Sequence, residues 1–461
     1  MDTYAAIIPV AGLSARMGAF KPLLELNGFP LIRLTAQSAL DGGVRTVCVV
    51  TGHRAAEVKE ALASQASSRQ AVQGLEEPAC SPSILPTTLE DALLFTHNSH
   101  YDKSDMLQSI RLGLHAVLAY DNAKAWASQA VFILPGDMPG VSPKTFVALQ
   151  KKWQETRPAV LVPCHEGRRG HPLLVSKECF AAILTEQAEQ AALAEQAEQT
   201  APGEQSPQQP SLLHSPFSLL PSQSGLRGAL AGFEWQELAV DDPGILLDAD
   251  TPDAFATLES QVRRTRGVSE AIAEELFAHY KTPSNVQEHT RAVAQVALRM
   301  ARFLNAKGIG LDAELCRSGG ELHDLNRVEP LHSQVAATNL QKLGYETLAR
   351  VVAAHDRELN IEPALFTEAN LVFVADKLVK DTTLVSITER YAGAVRRFPP
   401  TTEVGKLIQN DSRRAFALLE QYVKLTGDKA LLQGRGFEAT PITYDNPQNS
   451  PRNNNSRGQV P

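Results

Sequence analysis

Residues 5–18 read Ala-Ala-Ile-Ile-Pro-Val-Ala-Gly-Leu-Ser-Ala-Arg-Met-Gly, a short apolar run that ends in a glycine-containing loop. Apolar runs of similar length recur at residues 46–50, 130–134 and 159–163, with helical patterns between them. Runs that are apolar throughout are typical of strands buried on both faces, which occur in parallel sheets covered by helices. The sequence therefore predicts an α/β domain with a Rossmann-like, mainly parallel sheet over residues 1–262.

After Arg263 the spacing of apolar residues changes from short continuous runs to a helical period. Apolar residues there recur at steps of three and four, as in Val293, Val296 and Met300, which is the spacing of one face of an amphipathic helix. We therefore expect a second domain, all-α, over residues 268–432.

Three segments lack this regular patterning. Residues 186–224 are rich in Gln, Glu, Ala and Pro, which predicts a low-complexity insertion in the first domain. Residues 433–461 are rich in Asn and Pro and predict a disordered tail. Residues 67–90 also interrupt the alternation of strands and helices.

The composition and net charge of the chain limit the classes of molecule that it is expected to bind. The 461 residues carry a formal net charge of −8, and 43% of them are hydrophobic. This is a globular composition without overall attraction to nucleic acid or anionic lipid, so we expect small-molecule partners and neither nucleic acid nor membrane. Five cysteines without paired spacing favour reduced thiols. The N-terminal apolar run is too short for a signal peptide or a membrane span, and a cytoplasmic location is expected.

The loop after the first predicted strand has the composition of a phosphate-binding loop. Gly12 and Gly18 allow the backbone N–H groups to approach phosphates closely, and Arg16 and Lys21 supply positive charge for a triphosphate. For the glycines alone, the alternative is an ordinary strand-to-helix turn with a solvated Arg and Lys.

Three carboxylates follow at positions where a ligand is expected. Asp137 comes directly after an apolar strand, at the end where open α/β sheets bind ligands, and Asp248 and Asp250 precede a predicted helix. Such oxygen ligands suit Mg²⁺, which takes one or two carboxylates together with substrate phosphates. The alternatives are a turn residue for Asp137 and a helix N-cap or turn residue for Asp250.

Taken in order, these motifs resemble the nucleotidyltransferases related to molybdenum cofactor cytidylyltransferase. The resemblance covers nearly the whole of residues 1–262 and includes the first loop, Met106–Leu114, Gly136–Pro139, Gly167–Pro172 and Asp248–Asp253. It implies that the first loop holds nucleotide phosphates, that Asp137 binds Mg²⁺ and that the Gly-Arg-Arg-Gly-His-Pro segment shapes the acceptor side.

The resemblance gives a set of expected site residues. Those expected in catalysis are Arg16, Lys21 and Asp137. Those expected to bind the nucleotide are Ala11, Gly12, Leu13, Ser14, Lys21 and Ser109. Those expected on the acceptor side are Arg168, Arg169 and His171. Those expected at the Mg²⁺ ion are Asp137, Asp248 and Asp250.

The expected reaction is nucleotidyl transfer. Val10-Ala11-Gly12 is similar to the cytidylyl form of the loop, which implies CTP as the nucleotide among the nucleoside triphosphates. An acceptor phosphate would attack the α-phosphorus in line and pyrophosphate would leave, with Mg²⁺, Lys21 and Arg16 neutralising charge. The acceptor is expected to be a molybdopterin-type cofactor; another phosphorylated small molecule, such as a sugar phosphate, is the alternative.

The second predicted domain carries a different set of polar residues. His289 lies on the apolar face of a predicted helix, His323 and Asp324 are adjacent, and Asp376 interrupts a strongly apolar helix. A buried carboxylate persists only when it is paired or bound to a metal, so a salt bridge is the alternative for Asp376. A core histidine is the alternative for His289.

This order of His, His-Asp and Asp over about residues 283–395 resembles the HD superfamily of phosphohydrolases, an all-helical fold. The resemblance implies that His289, His323, Asp324 and Asp376 are metal ligands. His332 and His355 match further histidines that bind a second metal or a substrate phosphate in members of that superfamily. Imidazole and carboxylate together suit Mn²⁺, Fe, Co or Zn²⁺.

Two functions remain open for the helical domain. A metal that lowers the pKa of a bound water would support hydrolysis of a phosphate ester or anhydride. The alternative is a regulatory domain that keeps its metal without turnover.

Overall fold

The computed structural model of the protein describes residues 2–12, 18–63, 88–124, 127–185, 225–354 and 366–432. The predicted insertion at residues 186–224 and the predicted tail at residues 433–461 lie outside the described residues, as does most of the stretch at residues 67–90.

An eight-stranded sheet forms the centre of the N-terminal part. Its strands are β1 (Thr3–Val10), β4 (Thr46–Thr51), β5 (Leu93–His97), β6 (Ser128–Ile133), β7 (Val160–His165), β8 (Arg168–Arg169), β9 (Leu173–Ser176) and β10 (Trp235–Ala239). The strand order is β10-β7-β9-β6-β1-β4-β5, and β8 pairs with β7. Two short strands, β2 (Glu25–Leu26) and β3 (Phe29–Pro30), form a separate hairpin.

The sheet is mainly parallel. Strand β1 pairs in parallel with β4 and β6, β4 pairs in parallel with β5, and β10 pairs in parallel with β7. Strand β9 enters between β6 and β7 and runs antiparallel to both. Each of the four apolar runs in the sequence corresponds to a strand, and the predicted α/β fold is confirmed.

Helices cover both faces of this sheet. They are α1 (Leu31–Asp41), α2 (Ala55–Leu62), α3 (Leu89–Ala92), α4 (Met106–Lys124), α5 (Pro143–Thr156), α6 (Leu226–Ala229) and α7 (Pro252–Thr265). Along β1, Ala6 and Ile8 pack in one core with α1 and α5, whereas Ala5 and Ile7 pack in another with α4. Because successive strand residues point to opposite faces, a strand between two cores has to be apolar throughout.

The C-terminal part is built from α8 (Glu270–Tyr280), α9 (Ser284–Asn305), α10 (Ala313–Leu322), α11 (His332–Lys342), α12 (Glu346–Ala353), α13 (Glu368–Leu378), α14 (Ile387–Arg397) and α15 (Glu403–Thr426). Helix α13 lies in the middle, and its residues Leu371–Ala375 are all buried. Among the residues of this part that the structure describes, the helical fold is confirmed with one exception, a short hairpin of β11 (Val379–Lys380) and β12 (Thr383–Leu384). None of the helices in the described part of the chain is long and apolar enough to cross a membrane.

A buried carboxylate joins the two parts of the chain. Asp41, at the end of α1, accepts a hydrogen bond from the backbone N–H of Ala313 at 3.0 Å and another from Gln37 at 2.9 Å. Asp312 caps α10 through Leu315 N at 2.9 Å and pairs with Arg266 at 3.1 Å. Burial, with a smaller contribution from the nearby charge of Asp312, raises the pKa of Asp41 from 3.8 to about 7.

This contact predicts a pH-dependent stability. Folded Asp41 binds its proton more tightly than the unfolded chain does, so its contribution to stability is present below the unfolded pKa and is lost as the pH rises through about 7. The loss amounts to at most about 4 kcal/mol. The thermal unfolding midpoint, measured by circular dichroism, should fall between about pH 5 and about pH 8 in the parent. In the variant Asp41→Asn the same midpoint should therefore fall less over this range. The exposed variant Asp253→Asn should keep the parental slope, and equal slopes for all three proteins would contradict this assignment.

Candidate active sites

Lys21 lies between two carboxylates at the C-terminal edge of the sheet. Its Nζ is 3.3 Å from Asp137 Oδ2 and also pairs with Asp250 Oδ1. The backbone N–H of Asp250 in turn donates to Asp248 Oδ1 at 3.1 Å. Four of the residues expected at one site thus lie together, although they are up to 229 positions apart in the chain. We call Lys21, Asp137, Asp248 and Asp250 the acidic cluster.

Local backbone geometry places each member of the acidic cluster. Asp137 follows β6 in a loop that passes so close to β1 that a Cβ added at Gly136 would lie 2.1 Å from Val10 Cγ1. Asp250 immediately precedes α7, but Thr251 is the N-cap, since its side chain accepts from Ala254 N at 3.2 Å. The Asp250 side chain is therefore available to Lys21 and does not cap the helix.

The acidic cluster has more negative than positive charge. Burial works against the charge of Lys21, yet Asp250 and Asp137 outweigh it and the pKa of Lys21 is raised. Burial is the main cause that raises the pKa of Asp137; Lys21 opposes the shift and the charge of Asp248 adds to it. Three carboxylates around one ammonium group provide oxygen ligands of the kind that Mg²⁺ takes from proteins.

A cavity of about 490 Å³ adjoins the loop that carries Asp137, since Ile133 and Pro135 form part of its wall. This volume is typical of a small-molecule site. Arg169 and His171 line another part of the wall, and so do Arg227 and Trp235. The first two were expected on the acceptor side. The other two were not anticipated, because Arg227 follows the predicted insertion and neither residue lies in a motif.

The Gly-His-Pro segment is held against the loop that leads to the acidic cluster. A Cβ added at Gly170 would lie 2.2 Å from the carbonyl oxygen of Ile245, and His171 N donates to that same oxygen at 3.0 Å. The His171–Pro172 peptide bond is cis. Burial lowers the pKa of His171, so its imidazole is held neutral near pH 7.

The other residues expected at the N-terminal site either do not line this cavity or lie outside the described residues. Ser109 is buried, its hydroxyl accepts from Asn98 Nδ2 at 3.0 Å, and it does not line the cavity. Ala11 is buried and Gly12 is exposed, whereas Arg168 is exposed in β8 and outside the cavity wall. Leu13, Ser14 and Arg16 lie outside the described residues. The binding roles of all these residues stay predictions.

A second cluster lies among the C-terminal helices. His289 on α9 and His323 and Asp324 at the end of α10 have ligand atoms within 4.8 Å of one another. Asp376 Oδ1, from α13, is 3.2 Å from His289 Nε2 and 3.6 Å from His323 Nε2. The four residues form what we call the His-Asp cluster. His332 Nε2 is 3.0 Å from Asp324 Oδ1, whereas His355 lies outside the described residues.

Backbone carbonyl groups orient both imidazole rings of the His-Asp cluster. His323 Nδ1 is 2.7 Å from Gly320 O, and His289 Nδ1 is 2.9 Å from the carbonyl oxygen of Asp381 in the β11–β12 turn. A carbonyl oxygen only accepts, so each Nδ1 is the donor and each Nε2 faces the carboxylates. The hairpin that departs from the all-helical prediction thus positions a candidate ligand.

This arrangement fits a metal ion. In a neutral ring with its proton on Nδ1, Nε2 carries the lone pair that coordinates a metal, so the two Nε2 atoms and the neighbouring carboxylate oxygens form a set of ligands suited to one cation. Burial would lower the pKa of His323, but Asp324 and Asp376 outweigh it and the pKa is raised. Two imidazoles with carboxylates suit a divalent transition metal, and backbone carbonyls are common outer partners of ligating histidines.

Three cations surround the His-Asp cluster. Lys377 Nζ is 2.7 Å and Arg390 Nη2 is 3.5 Å from Asp376, and Arg327 Nη1 is 3.4 Å from Asp324. All three line one cavity of about 310 Å³ together with His289 and the two aspartates. Sequence reasoning missed them. Lys377 follows Asp376 directly and could have been noticed, whereas Arg390 is brought in by the packing of α14.

Two family models match the chain in the regions where these clusters lie. The model described as MobA-like NTP transferase domain matches residues 6–201, and the model described as HD domain matches residues 286–381. The chain thus joins a MobA-like NTP transferase domain to an HD domain. Both belong to enzyme families, the nucleotidyltransferases and a group that typically comprises metal-dependent phosphohydrolases.

Two curated proteins and one solved structure are similar to parts of the chain. The chain is 25% identical over 261 residues to molybdenum cofactor cytidylyltransferase of Escherichia coli (strain K12), covering 57% of this chain and 98% of that protein. It is 34% identical over 122 residues to the uncharacterized protein MJ0778 of Methanocaldococcus jannaschii, covering 23% of this chain and 72% of that protein. The crystal structure of Rv0371c from Mycobacterium tuberculosis H37Rv aligns with a TM-score of 0.34 and 16% identity, covering 56% of this chain and 97% of that one.

Metal binding by the HD domain predicts a stabilising effect that can be measured. Mn²⁺ at a hundred times its Kd should stabilise the native state by about 2.7 kcal/mol and raise the thermal unfolding midpoint. Asp376→Asn keeps the shape of the side chain but removes its charge, so this increase should shrink. Glu420→Gln, exposed on α15, is the matched control and should respond like the parent. A full increase in Asp376→Asn would show that Mn²⁺ binds elsewhere.

Proposed function

We propose that residues 1–262 transfer a cytidylyl group from CTP to a molybdopterin-type cofactor and release pyrophosphate, and that residues 268–432 hydrolyse a phosphate ester or anhydride. The observation that carries the first reaction is the acidic cluster beside a cavity lined by Arg169 and His171. Similarity to the Escherichia coli cytidylyltransferase over 98% of its length and the Val10-Ala11-Gly12 sequence favour CTP and this acceptor.

In the proposed transfer, Asp137, Asp248 and Asp250 would hold Mg²⁺, and Asp248 also fixes the turn that presents Asp250 by accepting from its backbone N–H. Bound there, Mg²⁺ would neutralise charge on the triphosphate and on the departing pyrophosphate. Lys21, now paired with Asp137 and Asp250, would turn its ammonium group to the phosphates, and Arg16 is expected to assist. An acceptor phosphate oxygen forms the new bond to the α-phosphorus while the bond to the leaving pyrophosphate breaks in line.

In the proposed hydrolysis, His289, His323, Asp324 and Asp376 would hold the metal, which would supply an acidified water near pH 7. Gly320 and Asp381 fix the two rings through their carbonyl groups. Arg327, Lys377 and Arg390 would bind the phosphate oxygens, because charge-assisted hydrogen bonds are short and strong. His332 and His355 would serve a second metal or the substrate phosphate.

The transfer proposal is tested by substrate choice. Full-length protein with Mg²⁺ should consume CTP in preference to ATP, GTP, UTP and dTTP when molybdopterin-type cofactor is present, as measured by chromatography of the nucleotides. Asp137→Asn should lower kcat/KM about 100-fold or more, because a ligand that acts on the transition state is lost. Asp241→Asn, an exposed neighbour of the same half, should retain activity. Turnover of UTP or dTTP with a sugar phosphate instead would favour the alternative acceptor.

Hydrolysis by the HD domain is tested in the same full-length protein. With Mn²⁺ it should release nitrophenol from p-nitrophenyl phosphate, and the double variant His323→Ala/Asp324→Ala should lose this activity almost completely, since two ligands are gone. Consumption of CTP by the double variant should persist, which shows that the transferase domain remains folded. The absence of turnover in the parent, or turnover that the double variant retains in full, would leave the regulatory role as the better account of this domain.

A further inference from the structure

The cavity at the His-Asp cluster is small and surrounded by charge. Its volume is about 310 Å³, and positive side chains reach it from three separate places: the turn after α10, helix α13 and helix α14. The side chain of Lys377 is 14% exposed and that of Arg390 is 31% exposed, so both are partly removed from water. Charges held in this way bind an anion more strongly than charges on an open surface.

The charges of this cavity favour an anion only after a metal has bound. Arg327, Lys377 and Arg390 are matched by three carboxylates in the same wall, those of Asp324, Asp376 and Asp381. A divalent cation at the His-Asp cluster would engage the carboxylates of Asp324 and Asp376. The three basic side chains would then lose their present partners and face a ligand with a clear excess of positive charge.

The wall also indicates how compact the ligand is. Among the described residues that line it, Val286 is the one apolar side chain, and none is Phe, Tyr or Trp. A nucleobase or pterin ring would therefore have little apolar surface to pack against there. Arg327 pairs with Asp324, whereas Lys377 and Arg390 pair with Asp376, so the basic side chains come from three different segments of the chain. Several basic groups in one cavity suit a ligand with more than one phosphoryl group.

We propose that the HD domain hydrolyses inorganic pyrophosphate, the product that the transferase domain of the same chain releases; this inference rests on both reactions proposed above. Pyrophosphate is a small anion with several negative charges and two phosphoryl groups, which matches the size and charge of the cavity. Arg327 would bind one phosphoryl group, and Lys377 with Arg390 would bind the other.

The reaction balances without a further reactant. A water oxygen forms a bond to one phosphorus, the bond from that phosphorus to the bridging oxygen breaks, and the bridging oxygen leaves on the second phosphorus. The water proton passes to the solvent or to a phosphate oxygen, and two orthophosphate ions result. Removal of pyrophosphate would make nucleotidyl transfer effectively irreversible, because the reverse reaction needs pyrophosphate as its attacking group.

Binding is tested first, independently of turnover. The probe is imidodiphosphate, whose bridging nitrogen resists hydrolysis, added to full-length protein carrying Asp137→Asn to weaken binding in the transferase domain. Calorimetry should detect binding with Mn²⁺ and a large loss of affinity with a chelator. Lys377→Gln and Arg390→Gln should each weaken binding about 10-fold to 100-fold. Arg396→Gln, exposed on α14 and outside the cavity, is the control and should bind like its parent. Unchanged affinity in both cavity variants would overturn the proposal.

Turnover separates this inference from the function on which it rests. Orthophosphate release from pyrophosphate by the full-length protein should exceed the hydrolysis of p-nitrophenyl phosphate at equal concentration. Lys377→Gln and Arg390→Gln should raise KM for pyrophosphate more than KM for the single-phosphoryl substrate. Hydrolysis of p-nitrophenyl phosphate without that of pyrophosphate would overturn the inference and leave the phosphohydrolase proposal standing. Hydrolysis of neither would overturn both, while consumption of CTP still reports on the transferase domain alone.

Discussion

Carboxylates crowd together in both halves of this chain, and groups of like charge stay together only when a cation lies among them. In the transferase domain the cation is the ammonium group of Lys21, which holds Asp137 and Asp250. Among the helices, the Nε2 atoms of His289 and His323 lie 3.2 Å and 3.6 Å from Asp376 Oδ1. Both clusters are partly neutralised by the protein itself, the first by Lys21 and the second by Arg327, Lys377 and Arg390.

The fold was largely predictable because its determinants are local. Strands such as Thr46–Thr51 lie between two cores and are apolar at their four central positions, so the run of apolar residues alone indicates a buried parallel strand. The antiparallel strand β9 was not predicted, since its four residues carry no period that distinguishes them from a loop. The hairpin at residues 379–384 was missed for the same reason: each of its strands has two residues.

The sites were predictable where the relevant residues end an apolar run. Asp137 and Asp376 could be singled out because a carboxylate beside or within such a run needs a partner. Packing between distant segments brings three further residues into the cavity walls: Arg227, Trp235 and Arg390. No local sequence pattern predicts such contacts. For Asp250 the sequence left two roles open. Its place before a helix is compatible with an N-cap, but in the structure Thr251 is the N-cap and the Asp250 side chain pairs with Lys21.

The β11–β12 turn has a consequence for how this protein tolerates change. Asp381 adopts a left-handed backbone conformation, with φ of 54°, and it is its main-chain oxygen that holds the ring of His289. Exchange of residue 381 for asparagine or glycine, which accept this conformation readily, would leave that oxygen in place. An insertion of a single residue between the two strands would move this oxygen. The ring of His289 would then turn away from the other three residues of the His-Asp cluster, although all four side chains would still be present. The length of this turn therefore constrains the candidate metal site more tightly than the identity of the residue at its tip.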